Sequence, residues 1–299
     1  MTRRLAVLAL AGLVVVACFR LDSFLFHPDR LERYLVPEDV DANWRVRFVI
    51  PDSLYEEVEL SSTGGNRIYG FFIRPAESER GPSLANRTTV IYAHGNWHSI
   101  NRYWGRAELL WEAGCRVFIY DYQGYGRSEG SPSGAGCYDD ARAALDYCRS
   151  RDDVEDSMIV FYGWSLGTFM TCHSAADLCR DSVPYLGVVL ETPLASMSSI
   201  AREGAVLDIP GSYLADADFD NESRIGRIGR PVLLLRAEFD SSSVYERNSK
   251  PLVETARRRG VDLEDRMVPG AVHDDVPEAM GYEAYRQLVR EFVSYCAAR

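Results

Sequence analysis

The chain has 299 residues, of which 46% are hydrophobic and 26% are charged, and its formal net charge is −11 at pH 7. This composition is that of a globular protein, and the length allows one large core to be buried. The excess of acidic residues argues against nucleic acid and other polyanions as partners. The sequence contains no HExxH motif, CxxC pair or carboxylate-rich calcium loop, so we expect neither a metal nor another cofactor.

The amino terminus has the pattern of a targeting segment. Arg3 and Arg4 precede an unbroken apolar run, Leu5 to Ala17, which is short for a membrane-spanning helix. The run ends in Val15-Val16-Ala17-Cys18, which resembles the lipobox of bacterial lipoproteins, where the chain is cleaved before a cysteine that then carries lipid. We therefore expect residues 1–18 to be a signal peptide with a lipobox and the protein to be exported and membrane-attached. An uncleaved single-pass anchor and a freely secreted product are the alternatives.

The cysteines allow two interpretations. Seven are present: Cys18, Cys115, Cys137, Cys148, Cys172, Cys179 and Cys296. If Cys18 carries lipid, an even number remains, and disulfides are possible in an exported protein. Cys172 and Cys179 lie about 10 Å apart along one predicted helix and so cannot pair with each other. The alternative is that several of these cysteines are small buried apolar side chains.

The predicted elements begin with strands and continue with alternating strands and helices. The first strand-like runs are Trp44–Ile50, Tyr55–Leu60 and Ile68–Arg74. The turn Gly64-Gly65-Asn66 indicates that the last two pair as antiparallel strands. The later predicted strands are Thr89–Ala93, Arg116–Tyr120, Met158–Tyr162, Leu186–Glu191, Pro231–Ala237 and Val261–Val268, and the predicted helices are Tyr103–Glu112, Tyr138–Arg149, Thr168–Arg180 and Tyr282–Ala297. This alternation predicts an α/β fold whose central sheet is mostly parallel and flanked by helices, as a single domain over residues 24–299.

The run Gly163-Trp164-Ser165-Leu166-Gly167 has the GxSxG pattern of a nucleophile elbow. It stands between the apolar strand Met158–Tyr162 and a stretch with helical spacing, which is the context that the motif requires. The turn would push the Ser165 hydroxyl clear of the backbone, and a side chain at 163 or 167 would collide with it. A serine hydroxyl needs a base and a group that orients the base. A chance GxSxG in a loop is the alternative.

The base is expected downstream of the nucleophile. Two of the five histidines, His173 and His273, follow Ser165 in the sequence. His173 lies in the helix that leaves the elbow, which carries it away from the hydroxyl. His273 is therefore the predicted general base, because in this arrangement the acid and then the histidine follow the serine.

The acid should follow a buried strand between the serine and the histidine. Pro231–Ala237 is the strongest such strand, and Asp240 comes three residues after it. Asp240 is the predicted acid, with Glu238 as the rival. Asp274 and Asp275 adjoin the histidine and are expected to cap the loop or to be solvated. The acid must hold the imidazole in the correct tautomer, so we expect it to be partly buried.

An oxyanion hole is predicted from two segments. The strand Thr89–Ala93 ends in His94-Gly95-Asn96, which places backbone N–H groups beside the nucleophile. One donor should be the N–H of Leu166, and the other should be the N–H of Asn96 or Trp97. His94 precedes the nucleophile and is expected to be a structural histidine.

Four motifs follow one another along the chain: His94-Gly95-Asn96, Asp121–Gly130, Gly163–Gly167 and His273-Asp274-Asp275. Together they resemble the α/β-hydrolase superfamily and are most similar to its membrane-anchored ABHD-type serine hydrolases, over roughly residues 24 to 296. The resemblance implies a triad of Ser165, Asp240 and His273, with oxyanion donors after Gly95 and after the serine. It also implies a substrate that is a thioester of a lipidated protein, a lysophospholipid or another acyl ester.

The chain departs from the family pattern in three places. Trp97-His98-Ser99 is bulkier than the family's Ala-Gly-Asn, and Gln123 replaces an arginine after Asp-Tyr. Ser241–Val244 stands where a Val-Pro usually follows the acid, which keeps Glu238 open as the rival of Asp240. We expect His98 to be a surface-loop histidine without substrate contact.

The sequence therefore predicts a serine hydrolase that cleaves carboxylic esters or thioesters through an acyl-enzyme. About forty residues between Glu191 and Pro231 predict a short cap over an open cleft. The partners would be a small-molecule or lipid acyl ester and, through the amino terminus, a membrane. A peptidase or amidase of the same fold and a non-catalytic lipoprotein of this fold are the alternatives. The oligomeric state is not predicted.

Overall fold

The fold is known from a computed structural model that describes residues 25–35, 45–62, 64–76, 83–179, 183–199 and 219–299. The predicted signal peptide or anchor, residues 1–18, lies outside these ranges. So do residues 200–218, which belong to the segment between Glu191 and Pro231 that is predicted to form the cap. Among the described helices, none combines the length and the apolar character that crossing a membrane requires.

The strands form a large sheet and a short separate ladder. They are β1 (His27–Pro28), β2 (Tyr55–Ser61), β3 (Arg67–Ile73), β4 (Thr89–Ala93), β5 (Trp97–His98), β6 (Arg116–Tyr120), β7 (Ile159–Trp164), β8 (Gly187–Glu191), β9 (Val232–Ala237) and β10 (Leu263–Val268). The eight-stranded sheet has the order β10-β9-β8-β7-β4-β6-β3-β2, while β1 pairs with β5. Strand pairs β2–β3 and β3–β6 are antiparallel and the other neighbours are parallel. The predicted α/β fold with a mostly parallel sheet is confirmed.

The helices connect and flank these strands. They are α1 (Leu84–Arg87), α2 (Ile100–Glu112), α3 (Gly134–Arg149), α4 (Gly167–His173), α5 (Asn221–Ile225), α6 (Ser249–Arg259), α7 (Val276–Met280) and α8 (Tyr282–Ala297). Helix α3 begins four residues before its predicted start because Ser133 caps it, accepting a hydrogen bond from the Gly136 N–H. Helix α4 runs into a π-helical turn, Ser174–Leu178. Helix α6 was not predicted from the sequence, and it is the crossover that two neighbouring parallel strands, β9 and β10, require.

The predicted strand Trp44–Ile50 is wrong. Residues 45–50 form no strand, and Arg45 and Phe48 have positive φ angles of 60° and 52°. The N–H groups of Arg47 and Val49 each donate to a carboxylate oxygen of Glu108 at 2.9 Å. Because the Glu108 side chain takes the donors that a strand ladder would use, this segment is bound to α2 rather than to the sheet.

Two apolar layers cover the two faces of the sheet. Successive residues of a strand point to opposite faces, and so Val160 and Phe161 of β7 belong to different layers. The six described cysteines are all free and buried, so the interpretation as buried apolar side chains holds and the disulfides are not formed. The parallel strands all end at one edge, where ligands bind in open α/β sheets.

The buried carboxyl group of Asp140, on α3, should make the stability of the folded protein depend on pH. Its carboxylate accepts hydrogen bonds from the Gln123 N–H at 2.7 Å and from Nε2 of the same residue at 3.1 Å. Burial raises the pKa of Asp140 to about 7. The folded protein therefore holds this proton at pH values where the unfolded chain, with an aspartate pKa of about 3.9, has lost it, and stability falls as pH rises from about 4 to about 7.

We expect Asp140→Asn to remove this contribution. The unfolding free energy of the variant minus that of the wild type should be up to a few kcal/mol larger at about pH 8 than at about pH 5. Urea denaturation at both pH values measures this difference. An equal difference at the two pH values would mean that Asp140 does not titrate in this range.

Candidate active site

Ser165 lies in a sharp turn between β7 and α4. Its φ angle is +53°, in the left-handed region that residues other than glycine adopt rarely. The turn is held on both sides of the serine. The Ser165 N–H donates to the Glu191 carbonyl at 3.0 Å, and the Ser165 carbonyl accepts from the Thr168 N–H at 3.0 Å and from the Thr168 hydroxyl at 2.6 Å. These bonds offset the strain that the elbow conformation stores.

The glycines around the elbow are required by close approach of the backbone. A Cβ atom at Gly163 would lie 2.5 Å from Oγ1 of Thr171, and one at Gly167 would lie 1.9 Å from the Ala93 carbonyl oxygen. A Cβ atom at Gly95 would lie 2.5 Å from the Trp164 ring. The end of β4 therefore packs directly against the elbow, which brings the two segments of the predicted oxyanion hole together.

The structure brings together the three side chains of the predicted triad. Nε2 of His273 lies 2.9 Å from Oγ of Ser165. Its Nδ1 lies 2.9 Å and 3.0 Å from the two carboxylate oxygens of Asp240. The Asp240 side chain is only 4% exposed and that of His273 is 14% exposed. Such a path can move a proton off the serine while the carboxylate holds the imidazole ring.

The carboxylate of Asp240 is anchored by the turn that follows it. One of its oxygens accepts the N–H of Ser242 at 2.9 Å and the N–H of Ser243 at 2.6 Å. These serines stand where the family usually has Val-Pro, and the turn that they form holds the carboxylate of the acid in place. Glu238 is exposed instead, and its carboxylate accepts the Gly270 N–H at 2.8 Å. The geometry selects Asp240 over Glu238 as the partner of the histidine.

The other histidines near the site have different surroundings. His94 is fully buried, with Nε2 3.0 Å from Oδ1 of Asp121, as expected of a structural histidine. His173 is directed to Asp177, 3.0 Å away. His98 lines the cavity above Ser165 with its side chain 32% exposed, and its Nδ1 lies 2.8 Å from the Asp29 carboxylate. That it makes no substrate contact stays a prediction. Within the described ranges, no three His, Cys, Asp or Glu side chains converge as metal ligands.

A cavity of about 350 Å³ opens above the serine. Its lining includes the residues predicted to donate to an oxyanion and the two reacting side chains: Asn96, Trp97, Leu166, Ser165 and His273. Leu25 and Leu194 form an apolar part of its wall, and Arg102 and Asp274 form a polar part. The cavity therefore offers both apolar and polar contacts to a group placed beside the serine.

The loop from Gly95 to His98 is bound to the start of the described chain. The His27 N–H donates to the Asn96 carbonyl at 3.0 Å, and the Asp29 N–H donates to the His98 carbonyl at 3.2 Å. The His27 ring stacks on Trp97 at 4.0 Å. Sequence analysis missed this role of residues 27–29, because two-residue strands carry no periodicity. These contacts fix the backbone of the predicted oxyanion donors.

The sequence matches the profile of the alpha/beta hydrolase family over residues 90–295. The chain belongs to this family. It is 30% identical to the uncharacterized protein YfhR of Escherichia coli K12, over 87% of this chain and 89% of that protein. It is also 30% identical to the human alpha/beta hydrolase domain-containing protein 17B, over 77% of this chain and 72% of that protein.

Solved structures show the same fold. The esterase Pf2001 of Pyrococcus furiosus superimposes with a TM-score of 0.66 at 17% identity, covering 91% of this chain and 97% of that one. The esterase Est22 superimposes with a TM-score of 0.65 at 17% identity, covering 86% of this chain and 85% of that one. At these identities the likeness concerns the fold of this alpha/beta hydrolase.

Beneath the elbow of this alpha/beta hydrolase lies a buried polar cluster, Arg106, Tyr162, Glu191 and Tyr285, that sequence analysis missed. The signal in the sequence was a carboxylate at the end of an otherwise apolar strand, Gly187–Glu191. Its partner Arg106 lies on a helix, more than eighty positions earlier, and no local pattern connects the two.

Proposed function

We propose that this protein is a serine hydrolase that cleaves carboxylic esters or thioesters through an acyl-enzyme. The observation that carries the proposal is the hydrogen-bonded path from Oγ of Ser165 through His273 to Asp240, with distances of 2.9 Å at each of its two steps. The nucleophile, the acid and then the base follow one another in the chain, which is the order typical of this family.

In the proposed mechanism, Oγ of Ser165 attacks the carbonyl carbon while Nε2 of His273 takes the hydroxyl proton. The imidazolium then gives this proton to the leaving alkoxide or thiolate, and Asp240 stabilises the imidazolium throughout. The N–H of Leu166, together with that of Asn96 or Trp97, would stabilise the oxyanion by about 3 kcal/mol each. Water, activated by the same histidine, hydrolyses the acyl-enzyme.

The apolar part of the cavity wall supports an apolar acyl group. Leu25, Leu194 and Trp97 line it, and a carboxylic ester needs no charged partner at its acyl chain. We further propose that the amino terminus attaches the exported protein to a membrane, through lipid on Cys18 or through an uncleaved apolar run. Only residues 18–24 separate the apolar run from Leu25, and a segment of this length spans at most about 25 Å when fully extended. An acyl ester held at a membrane would then lie within reach of the site.

Labelling of the full chain with a fluorophosphonate probe tests the proposal. We expect the wild type to be labelled and His273→Ala to be labelled at a rate reduced by about a hundredfold or more, because the serine loses its base. Hydrolysis of p-nitrophenyl butyrate should exceed that of the matching p-nitroanilide. A preference for the anilide would favour the amidase, and a folded wild type without labelling would favour the non-catalytic lipoprotein.

A further inference from the structure

The cluster beneath the elbow is built around an ion pair removed from water. Nη2 of Arg106 lies 2.5 Å from the Glu191 carboxylate, the arginine side chain is 11% exposed, and the glutamate is completely buried. Tyr162 and Tyr285 direct their hydroxyls to the same carboxylate, the second at 3.2 Å. Burial lowers the pKa of Arg106, but Glu191 and nearby tyrosines more than offset this and raise it above its ordinary value. Arg106 is therefore a permanent cation balanced by Glu191.

This pair contacts the predicted catalytic residues through two routes. The Glu191 backbone carbonyl accepts the Ser165 N–H at 3.0 Å. The Arg106 guanidinium lies 5.2 Å from the centre of the Trp164 ring, within the range of a cation–π contact. Tyr103 and His273 also lie beside that ring, each at 5.3 Å between centroids, and the Trp164 indole N–H donates to the His273 carbonyl at 3.3 Å.

We propose that Arg106 and Glu191 are positioning residues for the reaction: the guanidinium fixes the Trp164 ring against which His273 rests, and the carboxylate keeps the cation from opposing the charge that His273 gains. This inference rests on the proposed function. Neither residue touches the substrate cavity above Ser165, whose lining contains neither of them. The guanidinium acts on the base through the Trp164 ring, and its charge acts through space.

An Arg106 cation without its carboxylate would oppose the positive charge that His273 gains. His273 becomes an imidazolium in the reaction, and an unbalanced cation within roughly 10 Å would destabilise it. At an effective dielectric constant of 20 or more, the pH at which the imidazolium forms would fall by about half a unit to one unit. Among the described residues, the charged groups around His273 include Asp240, which contacts it, Arg102 and Asp274, which line the same cavity, and Asp275, which lies in the same loop. Glu278 of α7 also acts on Arg106, and it is paired with Arg45 at 3.2 Å. None of these groups changes when Glu191 is replaced.

The test compares two variants of the full chain by the pH dependence of kcat/KM on p-nitrophenyl butyrate. In Glu191→Gln the cation remains without its carboxylate, and the acid limb should move to lower pH by about half a unit to one unit. In the double variant Arg106→Met with Glu191→Gln both charges are gone, and the limb should return to the wild-type position. The double variant lacks the cation–π contact, so its kcat should fall several-fold while KM stays within about twofold.

The double variant also controls for a loss of activity that is caused by unfolding. Removing one partner of a buried ion pair is strongly destabilising, whereas replacing both by groups of similar volume is often neutral. Glu155→Gln is the matched control, because it removes a carboxylate paired with Arg87 at 2.6 Å at the opposite edge of the sheet. We expect its pH profile to be that of the wild type.

Two results would overturn the inference: an acid limb of Glu191→Gln that coincides with that of the wild type, or a wild-type kcat in the double variant. Ser165→Ala, assayed beside them, separates this failure from that of the proposed function. If Ser165→Ala keeps the wild-type rate, the proposed function fails. If Ser165→Ala is inactive and the Glu191→Gln profile is unchanged, only the positioning role fails.

Discussion

Ser165→Ala should lower kcat on an acyl ester by at least about 10⁴-fold and leave the protein folded. The hydroxyl oxygen is the proposed nucleophile, and no other serine hydroxyl of the described residues lies within hydrogen-bonding distance of His273. The side chain is small and the loss of one oxygen leaves the backbone bonds of the turn in place. Stopped-flow or steady-state release of p-nitrophenol measures the rate, and circular dichroism checks the fold.

Ser294→Ala is the matched control for this experiment. Ser294 is exposed on α8 and its hydroxyl donates to the Arg290 carbonyl at 2.8 Å. We expect its kcat to lie within about twofold of the wild-type value, since exposed substitutions away from a site have small effects. A Ser165→Ala protein that keeps more than a tenth of the wild-type rate would rule out a mechanism through this serine.

Asp240→Asn should lower kcat by about 10⁴-fold, because an amide can hold the imidazole in the wrong tautomer and cannot stabilise the imidazolium. Nδ1 of His273 lies within 3.0 Å of both Asp240 oxygens, so the substitution acts directly on the ring. Loss of the negative charge should lower kcat more than it changes KM, since the charge matters most when the imidazolium forms. Steady-state kinetics on p-nitrophenyl butyrate measures both.

Glu238→Gln is the matched control, since it makes the same change of a carboxylate to an amide two residues away. Its oxygen accepts the Gly270 N–H at 2.8 Å, a bond that the amide oxygen of glutamine can keep. We expect a kcat within about twofold of the wild type. The reverse pattern, with Glu238→Gln inactive and Asp240→Asn active, would make Glu238 the acid.

The local part of the site could be predicted from the sequence because it depends on local chemistry. The elbow requires glycine at 163 and 167, and the contacts that a Cβ atom would make there show why. Strands alternating with helices predicted the parallel sheet, and chain order singled out His273 among the histidines. The strand Trp44–Ile50 was wrong since its β-prone pattern is outweighed by a buried carboxylate on α2, which no local pattern reveals.

Only the tertiary structure decided which distant residues meet. Both Asp240 and Glu238 follow β9 within three residues, and the turn beyond the strand selects the one whose carboxylate faces His273. The approach of the first described residues to the loop after β4 brought His98 into the cavity. The ion pair of Arg106 with Glu191 joins α2 to the end of β8. Such contacts depend on strand order and packing between segments far apart in the chain, whereas sequence patterns report the preferences of neighbouring residues.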